Sequence, residues 1–188
     1  MNAAEYLALE VLRNDRSVRI RALKPSDRAS MLSAVGRIGD AGLYRRFFAP
    51  KHHFTEREIA YFVDVDFIAH VALVAELEEG GAPMIAGGGR YIVSAPGSAE
   101  MAFAVDDVHQ GLGIGSLLMR HLAAIAEGAG LQTLKAEVLA DNAPMLAVFK
   151  RSGLPLTLTR DAGVTLVQMD CRHACLAMDG GAPPTGAH

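Results

Sequence analysis

Three glycines alternate in Gln110-Gly-Leu-Gly-Ile-Gly115, and the chain on either side of them permits few folds. Met101 to Val105 before the glycines is apolar and β-prone, which predicts a buried strand. After them, Leu117, Leu118, His121, Leu122 and Ile125 fall at steps of three and four within Ile114 to Ala126, the stripe of a helix packed on a sheet. A glycine-rich turn between strand and helix lets backbone N–H groups converge at a helix N-terminus with no side chains in the way. Such a site favours phosphate, so the first expectation is a ligand carrying a phosphate or pyrophosphate.

The elements around this unit define the sheet. Ala3 to Arg13 reads as a short amphipathic helix with Tyr6, Leu7, Val11 and Leu12 on one side. Val18 to Leu23 alternates apolar residues with Arg19 and Arg21, a strand with one wet face. Pro25-Ser-Asp27 starts a helix carried by Met31, Leu32, Val35 and Ile38 to Gly39, and Thr55 with Glu58 forms a capping box for another through Phe62. Ile68 to Leu77 and Met84 to Val93 are strands joined by a turn at residues 78–83. A second turn at residues 94–97 leads into the strand before the glycines, so three strands form an antiparallel meander. Thr133 to Leu139 is again a strand, and strand, helix, strand implies a right-handed crossover with a parallel pair. Asn142 to Arg151 is a helix ended by Ser152-Gly153, and Leu156 to Thr159 with Val164 to Met169 makes a closing hairpin.

At 188 residues the chain fits one domain, taken as residues 1–178, followed by a Gly-, Pro- and Ala-rich frayed tail at 179–188. Apolar residues at 51% and charged residues at 21% suit a globular protein, and a net charge of −3 offers no general footprint for nucleic acid. Cys171 and Cys175 with His173 between them do not make a metal site, so no metal is expected. Met1 to Asn14 lacks the basic start and apolar run of a secretory signal, and the longest apolar candidate for a span, Phe67 to Leu77, is interrupted by His70 and Glu76. No membrane contact and a cytoplasmic location are expected. Oligomeric state is not legible.

Gly111-Leu-Gly113 begins like a dinucleotide fingerprint, and Glu137 lies about 20 residues on, but Ser116 stands at the third glycine. In that fold the glycine strand comes first and further strand–helix units follow, whereas here several strands precede it. No Gly-Lys-Ser/Thr follows, which argues against a P-loop. Instead, Gln110-Gly-Leu-Gly-Ile-Gly115 resembles the Q/R-x-x-G-x-G/A acyl-CoA pyrophosphate loop of the Gcn5-related N-acetyltransferases. The strand ending at Val105, the Ala136-Glu-Val-Leu139 strand, Asn142 opening a helix and Phe149-Lys-Arg-Ser-Gly153 fall where that family has their counterparts. The likeness covers residues 17–170. Leu43-Tyr-Arg-Arg-Phe-Phe48, Asp66-Phe67, His70 to Ala75 and Ala99 to Val105 further resemble the acetyltransferase domain of bacterial Pat-type protein-lysine acetyltransferases. Within these 188 residues, the nucleotide-binding or synthetase-like domains that some of those carry are not expected.

The resemblance implies an α/β (α+β) fold, a mixed and mostly antiparallel sheet flanked by helices with a splayed parallel pair. It also implies acetyl-CoA as donor. The pantetheine is expected beside Phe103, Ala104 and Val105, and the diphosphate on the turn of Gln110, Gly111, Leu112, Gly113, Ile114 and Gly115. Asn142 and Phe149 border the same site. A lysine acceptor with a pKa of about 10.4 is neutral to only about one part in 2,500 at pH 7, a cost of about 4.6 kcal/mol, so a base helps. Glu100 is the candidate base, the acidic residue of an apolar strand and the match to the catalytic glutamate of Pat-type domains; the alternative is an edge carboxylate without a role. Where many members carry a tyrosine that protonates the departing thiolate, this chain has Phe149. Tyr44, Arg45 and Arg46 lie where the acceptor site is usually shaped, while His52-His53 reads as a solvated loop pair. His70 and His121 read as satisfied histidines on packed elements, and His109 is placed to touch phosphate. The expected activity is acetyl transfer to an amine, a protein lysine first. A small-molecule amine and a non-catalytic acyl-CoA-binding module are the alternatives.

Overall fold

The computed structural model describes residues 2–47 and 55–172. Eight strands form one sheet: β1 (Leu7–Val11), β2 (Ser17–Ala22), β3 (His70–Glu79), β4 (Ala82–Ala95), β5 (Ser98–Val105), β6 (Thr133–Leu139), β7 (Leu156–Asp161) and β8 (Val164–Asp170). Their spatial order is β1-β2-β3-β4-β5-β6-β8-β7, and every neighbouring pair is antiparallel except β5–β6. The mixed sheet with one parallel pair is the expected architecture. The antiparallel run is longer than three strands, reaching from β1 to β5.

Among the described residues five α-helices accompany it: α1 (Arg28–Gly36), α2 (Asp40–Phe47), α3 (Glu56–Val63), α4 (Ile114–Gly128) and α5 (Ala143–Lys150). In β3, Val71, Leu73 and Ala75 join the main core under α4 with Leu118, Met119 and Leu122, while Ala72 and Val74 join a smaller cluster with Ala34 of α1. This alternation sets α4 and α1 on opposite faces of the sheet. The capping box on α3 forms as expected, with Glu58 N donating to Thr55 Oγ1 at 3.3 Å and Thr55 N to Glu58 Oε2 at 2.9 Å.

The N-terminal segment departs from expectation. Instead of a helix over Ala3 to Arg13 there is a 3-10 turn at Ala3–Glu5 and then strand β1. Leu7, Leu9 and Val11 do share one side, but at strand spacing, and that side is exposed; Glu10, on the opposite side, accepts from Arg120 and bonds His121 of α4. Pairing with β2 and this polar tether outweigh the helical pattern. The strand expected from Ile68 begins at His70. Asp66 Oδ1 accepts from the N–H groups of Ile68, Ala69 and His70, and Phe67 takes a φ of 56°, so the ladder starts only after this turn. Helix α2 has no counterpart among the elements expected from the sequence. The closing hairpin forms, but β8 lies between β6 and β7. His52-His53, His173, Cys175 and the 179–188 tail lie outside the described residues, as do the side chains of Arg45 and Arg46.

Candidate active site

Strands β5 and β6 pair only over Ser98–Thr133, Ala99–Leu134 and Glu100–Lys135. Beyond these, β5 runs on to Val105 against β4, and β6 to Leu139 against β8. The gap is a groove of about 720 Å3 with the glycine turn at one end and Glu100 at the other. Between them lie Phe103, Ala104 and Val105 on one wall, with Asn142, Val148 and Phe149 of the α5 region on the other.

Gly113 is the N-cap of α4 with a φ of 99°, and Gly111 has a φ of 79°, conformations that L side chains resist. None of the backbone N–H groups of Gly111 to Ser116 has an acceptor among the described residues. A Cβ at Gly111 would meet nothing within 4 Å, so the space over the turn is open. These free donors at a helix N-terminus fit a diphosphate. Ile114 has its side chain in the core and offers the groove backbone only, and Leu112 packs against the same core. A Cβ at Gly115 would lie 3.4 Å from Val148 of α5, an ordinary contact, so packing alone does not require glycine there.

Gln110 does not reach into the groove as a free donor. Its Nε2 folds back to Val105 O at 3.2 Å and Asp107 Oδ1 at 2.9 Å, tying the turn to the end of β5. His109, expected near phosphate, is a buried brace: Nδ1 donates to Asp106 Oδ1 at 2.6 Å, and Arg37 Nε donates to Asp106 Oδ2 at 2.9 Å. The turn is thus anchored through Asp106, itself 1% exposed, to the end of α1.

Arg13, from the β1–β2 hairpin, is a feature that the sequence did not disclose. Its Nη1 donates to Gly111 O at 3.2 Å, its backbone N to Leu112 O at 3.2 Å, and its side chain lines the groove. An exposed guanidinium therefore sits beside the free amides of the glycine turn.

At the other end Glu100 is exposed, in register with Ile92 on one side and Lys135 on the other, and makes no side-chain hydrogen bond or ion pair with the described residues. Tyr61, 54% exposed, and Phe62 bring aromatic surface from α3 to this end. Arg90 stacks over the Phe62 ring at 4.8 Å and donates from Nη1 to His70 Nε2 at 3.1 Å. Burial, reinforced by Arg90, pushes the His70 imidazole below its usual range, so it is a neutral acceptor there. Tyr44 on α2 is exposed but is not among the groove's lining residues.

Asn142 caps α5, its Oδ1 accepting from Met145 N at 3.2 Å, and the residue lines the groove. Phe149 is buried edge-on against Phe103, with ring centroids 5.9 Å apart, and has no proton to give. Cys171 is buried, its thiol pushed up to about 11 by burial, and so is no nucleophile. No group of three or more His, Cys, Asp or Glu able to hold a metal occurs among the described residues. No helix among them is long and apolar enough to cross a membrane.

Comparison with known proteins gives these features a context. The model of the acetyltransferase (GNAT) family matches residues 42–154. Acetyltransferase Pat of Mycolicibacterium smegmatis is 31% identical over 153 residues, 80% of this chain and 45% of that protein, so the chain spans less than half the length of that relative. Acetyltransferase PA5475 of Pseudomonas aeruginosa is 30% identical over 138 residues, 73% of this chain and 74% of that protein. The crystal structure of the GNAT domain of S. lividans PAT superposes with a TM-score of 0.79 at 32% identity, covering 87% of this chain and 96% of that one.

Proposed function

Because the chain belongs to the acetyltransferase (GNAT) family, we propose that it transfers an acetyl group from acetyl-CoA to an amine, with a protein lysine side chain as acceptor. The observation that carries this reading is the β5–β6 splay, which has unfilled amides and Arg13 at one end and an unengaged carboxylate at the other. The likeness to Pat-type domains supports a protein acceptor.

Bound acetyl-CoA supplies an activated thioester. The amides of Gly111 to Ser116 and the Arg13 guanidinium hold its diphosphate, while the unpaired edges of β5 near Phe103 to Val105 and the Asn142 amide hold the pantetheine. Glu100 accepts a proton from the incoming ammonium, directly or through one water, so that the neutral nitrogen bonds to the carbonyl carbon as the C–S bond breaks. As the C–S bond breaks, the nitrogen loses its second proton to solvent and the departing thiolate takes one from solvent: a thiol pKa of about 8.5 makes this tolerable, and Phe149 offers none. Phe149 favours one second reading, a module that binds acyl-CoA without turning it over.

Purified protein with acetyl-CoA and a panel of lysine peptides is expected to release free CoA, and acetyl-CoA alone to raise Tm. Glu100→Gln is expected to lower kcat/KM by about 10² to 10⁴ with the Kd for acetyl-CoA unchanged. Tight binding with no acceptor releasing CoA selects the binding module, and full activity in the variant removes Glu100 as base.

A further inference from the structure

On the sheet face covered by α1, α2 and α3, a second cavity of about 100 Å3 adjoins the groove. Its floor, the sheet side, carries Ala72 on β3, Gly88 on β4, and Ala102 and Ala104 on β5, beside the larger Val74 and Arg90. Gly88 is registered with Ala104, and Arg90 stands between Ala102 and Ala72, so Gly88, Ala102 and Ala104 adjoin on β4 and β5 while Ala72 lies on the other side of Arg90. Helices packed on a sheet normally fill such a layer with larger side chains; here Val35 of α1 and Phe62 of α3 line the cavity from the helix side, its roof.

Ile38, Phe62, Arg90, Ala102 and Ala104 line both the cavity and the groove, so the two share a wall. Glu100, Ala102 and Ala104 alternate along one face of β5, which puts the shared wall next to the carboxylate end. The polar groups at the cavity are already engaged: Asp106 by Arg37 and His109, and Arg90 by His70. An apolar space of this order stays dry and takes a small apolar group, as a cavity of about 150 Å3 takes benzene.

Resting on the acyl-transfer reading above, we propose that this recess receives the acyl chain of the donor, and that straight-chain thioesters of three or four carbons bind as well as or better than acetyl-CoA. The small floor of β3, β4 and β5 is then a chain-length device.

Calorimetry of the intact protein with acetyl-, propionyl- and butyryl-CoA, without acceptor, tests this, alongside turnover of each with a lysine peptide. Butyryl-CoA is expected to bind about three- to tenfold more tightly than acetyl-CoA, since each buried methylene favours binding. Ala72→Val fills the recess from the floor and Val35→Leu from the roof. Each is expected to leave the Kd for acetyl-CoA within about twofold and to abolish the butyryl preference. A wild-type Kd for butyryl-CoA about tenfold weaker than for acetyl-CoA overturns the proposal, as does an unchanged butyryl preference in either folded variant. If the folded wild type binds no CoA thioester at all, the donor reading itself fails.

Discussion

Arg13 shows how much a single side chain can add to a site built mainly of backbone. One of its five N–H donors is used on Gly111 O, and the remainder are available to an anion over the turn. Replacing it by Gln is expected to weaken acetyl-CoA binding about five- to tenfold, less than a buried charge-assisted bond because the guanidinium is exposed. The penalty should shrink as salt rises, which calorimetry at low and high ionic strength would read; an equal Kd in wild type and variant at low salt would remove Arg13 from the site. Nothing in the sequence around Arg13 announces this, because its partner lies 98 positions away. Gln110 and His109 illustrate the converse. Both are polar and adjacent to the glycines, yet their polar atoms are committed to Val105, Asp107 and Asp106, a choice set by how the turn folds back on β5.

Among the elements, the strand–turn–helix unit was legible because each part carries its own local signal: an apolar strand, alternating glycines, and a three-four stripe. Its backbone makes Gly113 sensitive. With a φ of 99°, Gly113→Ala is expected to cost about 1–2 kcal/mol of stability and to weaken acetyl-CoA binding at least tenfold as the amides shift. Gly128→Ala, at the far end of the same helix with nothing within 4 Å of its Cβ, should be neutral or slightly stabilising. Urea midpoints and Kd values for the pair check this, and equal behaviour would contradict it. Strand β1 was illegible because Tyr6, Leu7, Val11 and Leu12 also satisfy helical spacing over so short a stretch. What decides the matter is the β2 edge and the Glu10 tether, both contributed by distant chain.

At the scale of the molecule, local hairpins were readable, but the insertion of β8 between β6 and β7 was not, since nothing in a hairpin says which of its strands meets a third. Two packed histidines give the whole chain a pH dependence. His121 accepts at Nδ1 from the Tyr6 hydroxyl at 2.5 Å and donates from Nε2 to Glu10 at 2.9 Å, and burial holds its pKa below 6.5 despite the Glu10 charge. His70 is lowered likewise, with Arg90 adding to burial and Asp66 opposing. Unfolding lets both take protons that the native state refuses. Their contribution is therefore complete above about pH 6.5 and declines as pH falls below it. Denaturant titrations from pH 7.5 to 5.5 are expected to show this decline, and His121→Gln to flatten it; an unchanged slope in the variant would exclude His121 as a source.

Three registered residue pairs, with the Gly97 carbonyl accepting from Gln132 and Thr133 just before them, stitch β5 to β6 across the middle of the sheet. The two leaves, β1 to β5 and β6 to β8, are joined there like covers along a short spine, with α4 as the connecting chain. A guest whose own amide groups bridge both open margins supplies the missing rungs. On the proposed reading the donor is also a temporary strand of the protein, and the molecule is expected to be stiffest when it is charged for reaction.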